Sequence, residues 1–310
     1  MLLNTNMMKK LILICLFITS SMYATQKITP SEVYSEVMQI QKELTLIGTF
    51  LKKSVNVDVY KINTSLKPRH AWQKTYEILV KINILRDTHN MPLIQPSNMQ
   101  PVLNIDPILT YEQTKRIQTE LRIFKARMNI NQKISKMKTY KGKTPLDVFN
   151  ALNIVSKEMD LLNGSEFTPS YVFGETIRIY SDLSIIIEHL NVKDTTIPTK
   201  RKFRAKPKDT FEVSMDILGR IKYIQFLVGI ESIDFYTFRK EKPTPSDVFG
   251  INEIILSELQ TIKAYLKISQ VTAPAKQYED KTPSDVEQML GWCLRRISLI
   301  ESLDSIKGVK

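Results

Sequence analysis

The chain has 310 residues, 44 Lys and Arg against 32 Asp and Glu, a formal net charge of +12, and 43% apolar residues. That apolar content excludes intrinsic disorder, and nine glycines and fourteen prolines exclude collagen-like and low-complexity chains. Two cysteines, Cys15 and Cys293, exclude a disulfide scaffold and any CxxC site.

The first segment reads as an export signal. Lys9-Lys10 supply a positive start, Leu11 to Ile18 an apolar core, and Ala24 a small residue at a cleavage position. Eight apolar residues are too few to span a bilayer, which needs about 20. The mature chain is therefore expected to begin near Thr25, with one cysteine and no transmembrane span, outside the cytoplasm in a periplasmic or extracellular space.

From Thr29 onward the sequence repeats. Thr29-Pro30-Ser31-Glu32-Val33-Tyr34 recurs at Thr144-Pro145, Thr168-Pro169, Thr244-Pro245 and Thr282-Pro283, with weaker copies at Pro68, Pro107 and Pro207. The prolines are spaced 38, 39, 38, then 24, then 38, 38 and 38 residues apart. Thr suits an N-cap, Pro the first helical position, and the acid two residues after Pro closes a capping box and complements the helix dipole. Each motif therefore predicts a helix start. Positions 3, 10, 14 and 17 after each proline are apolar in nearly every copy and trace one helix face. Cys293 falls in such a column, as a small core residue.

The fold class predicted is all-α: two tandem four-helix units from an internal duplication, residues 25–164 and 165–310 after a signal at 1–24, built of single-helix repeats with long irregular linkers. A linker of about 14 residues is long enough to run back along a helix, leaving successive helices parallel, or to loop between antiparallel neighbours. Only the junction at Asn163–Phe167 is short, which predicts an antiparallel hairpin there.

Three patterns are candidates for chemistry. Thirteen residues after each proline stand Glu43, Lys81, Glu120, Glu158, Asp182, Arg220, Glu258 and Arg296, at the edge of the apolar stripe. They suit an acid–base or metal site, or a belt of structural ion pairs pairing Glu43 with Lys81 and Asp182 with Arg220. Four residues after the prolines stand Tyr34, Trp72, Tyr111, Phe149, Phe173, Phe211 and Phe249, with Glu287 in the eighth copy: a ligand cage or a core layer at the bundle ends. No Gly-x-Ser-x-Gly, phosphate loop, Glu-x-x-His or metal-ligand cluster occurs, so no enzyme, cofactor or metal is expected.

The third pattern is charge. The linkers at 131–144 and 191–206 each carry a net +5. Their cations are Lys133, Lys136, Lys138, Lys141 and Lys143, and then Lys200, Arg201, Lys202, Arg204 and Lys206, with Lys193 set against Asp194. If the two blocks converge on one face, they form a polyanion-binding patch. The function expected is an exported, non-enzymatic helical repeat protein binding a partner protein or an anionic envelope polymer or lipid, with no nucleic acid as partner. The alternative is an extracytoplasmic small-molecule sensor or carrier with a pocket between helices.

Overall fold

The computed structural model describes residues 27–57, 61–301 and Ile306; the leader segment and Cys15 lie outside them. Eight helices follow one another, with no strand among the described residues: α1 (Pro30–Phe50), α2 (Pro68–Asp87), α3 (Pro107–Arg127), α4 (Pro145–Asn163), α5 (Pro169–His189), α6 (Pro207–Val228), α7 (Pro245–Tyr265) and α8 (Pro283–Ile297). A short 3₁₀ turn at Phe235–Phe238 interrupts the linker after α6. Every helix opens on its repeat proline. The acid at the third position accepts the N-cap N–H as the capping box requires, at 2.9 Å for Thr29–Glu32, 2.9 Å for Thr144–Asp147 and 2.8 Å for Thr282–Asp285. In α2, His70 takes the acid's place and its Nδ1 accepts from Lys67 N–H at 2.9 Å.

The helices of each half are parallel. Pro30, Pro68, Pro107 and Pro145 meet around one shallow dimple with Val33, Ala71, Thr110 and Val148, and Pro169, Pro207, Pro245 and Pro283 meet in the same way around another. Four N-termini thus share one end of each bundle. The order around the first bundle is α1-α3-α2-α4, and around the second α5-α7-α6-α8, the same ring shifted by four helices. The linkers also follow matching routes. Residues 135–143 descend α1, where Tyr140 N–H donates to Ser35 Oγ at 3.2 Å and Lys143 N–H to Ser31 Oγ at 3.0 Å. Their counterparts after α7 end on α5, where Lys281 N–H donates to Ser170 Oγ at 3.1 Å.

Parallel helices in register stack equivalent residues in layers. The columns 10, 14 and 17 residues after proline are buried throughout, from Ile40, Ile78, Ile117 and Val155 at one level to Ile186, Ile224, Ile262 and Ile300 at another. With position 3 these form a heptad seam whose remaining member, position 7, the apolar pattern omits. In the second bundle three of the four residues at that level are polar and buried: Asn252 accepts from Ser214 Oγ at 2.9 Å and donates to Thr176 Oγ1 at 3.2 Å. A buried, mutually satisfied polar level of this kind fixes register.

The bundles join through α2 and α7, which pack antiparallel: Arg69 and His70 meet Glu258, while Gly250 lies beside Lys74 and Glu77. Phe167 stacks on Phe249 at 4.0 Å where the chain crosses over. The junction turns at Gly164, whose φ of 76° is left-handed. α4 and α5 run in opposite senses but pack into different bundles, so the predicted hairpin is a crossover between domains.

The serine after proline has a role that capping does not explain. Ser31, Ser170, Ser246 and Ser284 each accept a backbone N–H from the residue just before another helix's N-cap, Lys143, Lys281, Phe167 and Ala205 respectively. These braces tie the parallel N-termini together. Ser284→Ala leaves the buried Ala205 N–H unpartnered and should destabilise the protein by about 1–3 kcal/mol in urea unfolding, with helix content unchanged.

Candidate functional site

The charged column is part of the scaffold, though not through the expected pairs. Glu43 binds Lys125 at 2.8 Å instead of Lys81, and Asp182 binds Lys263 at 2.9 Å instead of Arg220. The rule is geometric: the residue 13 after proline reaches the residue 18 after proline on the next helix round the ring. Glu120–Arg86 at 2.8 Å, Glu258–Gln225 at 2.5 Å and Arg220–Glu301 at 3.0 Å obey it too. Lys81 is spent on Asp160, at 2.7 Å, and Arg296 on Asp194, at 3.1 Å. Glu158 reaches no cation, because position 18 on α1 is Gly48. A Cβ there would stand 2.8 Å from Lys53 O, where the linker passes. Burial pushes the Glu158 carboxyl up to about 7, and its Oε2 has no partner.

The aromatic column is core. Trp72, Phe149, Phe173, Phe211 and Phe249 are buried in the cluster that fills the second bundle and the inter-bundle seam, and Tyr34 and Tyr111 pack against the first core. Cys293 is buried, its thiol pushed up to about 12 by burial, as a core residue would be.

The two basic linkers lie on opposite flanks. The 131–144 segment runs along α1 and the 191–206 segment along α8, where Arg201 binds Asp285 at 2.9 Å and Thr199 Oγ1 donates to Gln288 O at 3.0 Å. α1 is diagonal to α2, and α8 diagonal to α7, so the α2–α7 seam separates them. The expected convergence on one face does not occur, because each linker returns along its own bundle. Lys133, Lys136, Lys138 and Lys141 are exposed, and Lys143 sits over the Tyr34 ring at 4.6 Å. Lys200, Arg201, Lys202, Arg204 and Lys206 are exposed, with Lys202 bound to Asp209 at 2.6 Å.

The site that the structure adds is a cleft of about 610 Å³ between the bundles. One wall is the outer face of α2, where Tyr76, Val80, Asn83 and Asp87 fall in line at helical spacing, with Leu93 to Pro96 of the following linker. The other is the first turns of α5, with Tyr171 and Glu175, and the linker from Pro274 to Glu279 with Tyr278. Asn83 holds the first linker in place, donating to Ile94 O at 2.7 Å and accepting from Ile94 N–H at 2.8 Å.

Arg178, buried behind the lining, clamps both walls. Its guanidinium stacks over the Tyr76 ring at 4.4 Å, donates to Asn98 Oδ1 at 3.1 Å on one linker and to Ala273 O at 3.1 Å on the other, and pairs with Glu175 at 2.5 Å. Glu253 lies beneath, 3.5 Å from Arg178 and bonded to Gln73. Burial, and then the adjacent Glu175 carboxylate, push Glu253 well above the usual carboxylate range. Burial, then Glu175, raises the Tyr76 phenol, which remains a neutral donor 3.5 Å from Glu175 Oε1. With Glu175 paired to Arg178, Asp87 and Glu279 outnumber Lys276 along the lining, so the lining of this cleft in a basic protein is net negative. Among the described residues no three His, Cys, Asp or Glu side chains converge as a metal site would need.

Tyr76, Arg178 and Glu253 were invisible to the repeat reading, which followed only the faces that each helix turns to its own bundle. One signal was present: α7 is apolar around much of its circumference, with Ile251, Ile254, Ile255, Leu256, Leu259 and Ile262, as a helix buried on two sides is.

The orphan Glu158 gives a pH signature. Its folded value of about 7 lies above the ordinary 4.5, so ionisation favours the unfolded chain. Its contribution falls as pH rises from about 4.5 to about 7 and is level above that. Glu158→Gln should match the wild type in thermal unfolding near pH 4.5 and exceed it at pH 8 by about 1–3 kcal/mol.

Compared with protein-family models, with curated proteins and with solved structures, the chain matches none.

Proposed function

We propose that this protein is an exported, non-enzymatic binding protein that holds a small organic cation in the cleft between its two bundles. The observation that carries the reading is the cleft itself: about 610 Å³, lined by Tyr76, Tyr171 and Tyr278, net negative, and braced on both walls by Arg178. The volume suits a small-molecule site, and tyrosine rings beside carboxylates suit a cation by cation–π attraction and charge. The walls are ordered by internal hydrogen bonds, so a ligand would meet a preformed site and lose little affinity to ordering. Export rests on the Lys9-Lys10, Leu11–Ile18 and Ala24 pattern. No helix among the described residues is long and apolar enough to cross a membrane.

Calorimetric titration with spermidine, choline and lysine methyl ester, set against neutral and anionic compounds of like size, tests the reading. Saturable binding confined to cations is expected, weakened about tenfold by Asp87→Asn, with thermal unfolding unchanged, and by Tyr171→Ala. Absence of cation binding, or binding that both variants leave intact, would overturn it.

A further inference from the structure

The linker that runs along α8 ends in an exposed turn with an unusual composition. Three linkers make the same left-handed residue three positions before their proline: Gly142 with φ 68°, Arg204 with φ 53° and Asp280 with φ 56°. The residue just before it is Lys141 in the first and Glu279 in the third, both exposed and charged. In the second it is Phe203, 78% exposed. The turn therefore does not need an apolar side chain at that place, and no core receives this one. Ile197, earlier in the same linker, is 69% exposed.

The tip is held out rigidly. Ala205 N–H is braced by Ser284 Oγ at 3.1 Å, Gln288 Nε2 donates to Thr199 O at 2.8 Å, and Arg201 and Lys202 are tied to Asp285 and Asp209. Lys200, Arg204 and Lys206 have no acidic partner among the described residues, and the Arg204 guanidinium lies 5.0 Å from the Phe203 ring centre. A fixed aromatic tip ringed by unneutralised cations is apolar and positive at one spot.

We propose that the 197–206 turn docks the protein on an anionic phospholipid bilayer, with Phe203 entering the boundary of the acyl region and Lys200, Arg204 and Lys206 meeting lipid phosphates. A soluble polyanion would use the cations and leave Phe203 in water; a bilayer interface takes both. Each cation near such a surface adds about fivefold to binding. The other basic linker, on the opposite flank, cannot share that contact plane. The inference is independent of the cleft, since it invokes none of its residues.

Co-sedimentation of the full chain with vesicles of 30% phosphatidylglycerol in phosphatidylcholine, against pure phosphatidylcholine, at 150 mM salt tests it. The apolar segment at residues 11–18 is common to all variants, so the differences between variants are read. Stronger binding to the anionic vesicles is expected, reduced about tenfold by Phe203→Ser and kept by Phe203→Trp, with a vesicle-dependent blue shift in the emission added by the new indole. The triple change Lys200→Gln, Arg204→Gln, Lys206→Gln should weaken binding far more than Lys136→Gln, Lys138→Gln, Lys141→Gln. Phe203→Ser binding as the wild type does, equal effects of the two triples, or retention on heparin without vesicle binding would each overturn the proposal, the last in favour of a soluble polyanion. Asp87→Asn should leave vesicle binding unchanged, which separates this result from any failure of the cleft reading.

Discussion

Parallel alignment of four helices is the constraint on which this molecule depends. A helix of 21 residues is about 32 Å long, and its successor can point the same way only if the chain first travels back by that distance. The extended linkers do so, and the 38-residue period is the sum of one helix and one return. In-register layers follow, because equivalent positions lie at equal heights. The ring of ion pairs between positions 13 and 18 follows as well, and so do the serine braces at the ends.

Gathering four N-termini at one end concentrates partial positive charge, which adjacent parallel dipoles make unfavourable. The chain answers locally, with acids in the first turns of α1, α4, α6, α7 and α8, and then with linker cations set on some of those acids, as in Lys202–Asp209 and Lys240–Asp247, both at 2.6 Å. It answers globally by laying the two bundles antiparallel across α2 and α7, so that their axial dipoles oppose. The cost is a seam in which Arg69, His70, Glu253 and Glu258 are all buried and must satisfy one another. Burial tips His70 towards its neutral form. Glu258 meanwhile stays ionised at about 2 despite burial, through His70 and Arg69.

The helices and their starts were legible in the sequence because the cap motif and the apolar columns are local, repeated signals. Ile40 and Ile262 were placed in the core by spacing alone. Helix direction was not legible, since a 14-residue linker permits either sense; the meeting of the helix-start prolines and the contacts of Tyr140 with Ser35 and Lys143 with Ser31 decide it. The polar level at Asn252 escaped because it interrupts the apolar pattern. The cleft escaped for a different reason: it is made by faces of α2 and α5 that turn away from their own bundles, and a single repeat carries no record of which face meets another domain. Charge composition found the basic linkers, but spacing along the chain did not reveal that α1 and α8 hold them apart.

The return linkers also govern how the chain acquires its shape. Lys125 finds Glu43 across 82 residues, and Lys143 finds Ser31 across 112. A nascent chain therefore contains no closed core while only its first helices have been made; α1 has neither ring neighbour until α3 appears, and its bundle has no fourth side until α4 is complete. Contacts so distant in sequence place this fold among slow folders for an all-helical protein. The smallest cooperative unit is thus a whole bundle, and loss of any one repeat would open it along its full length.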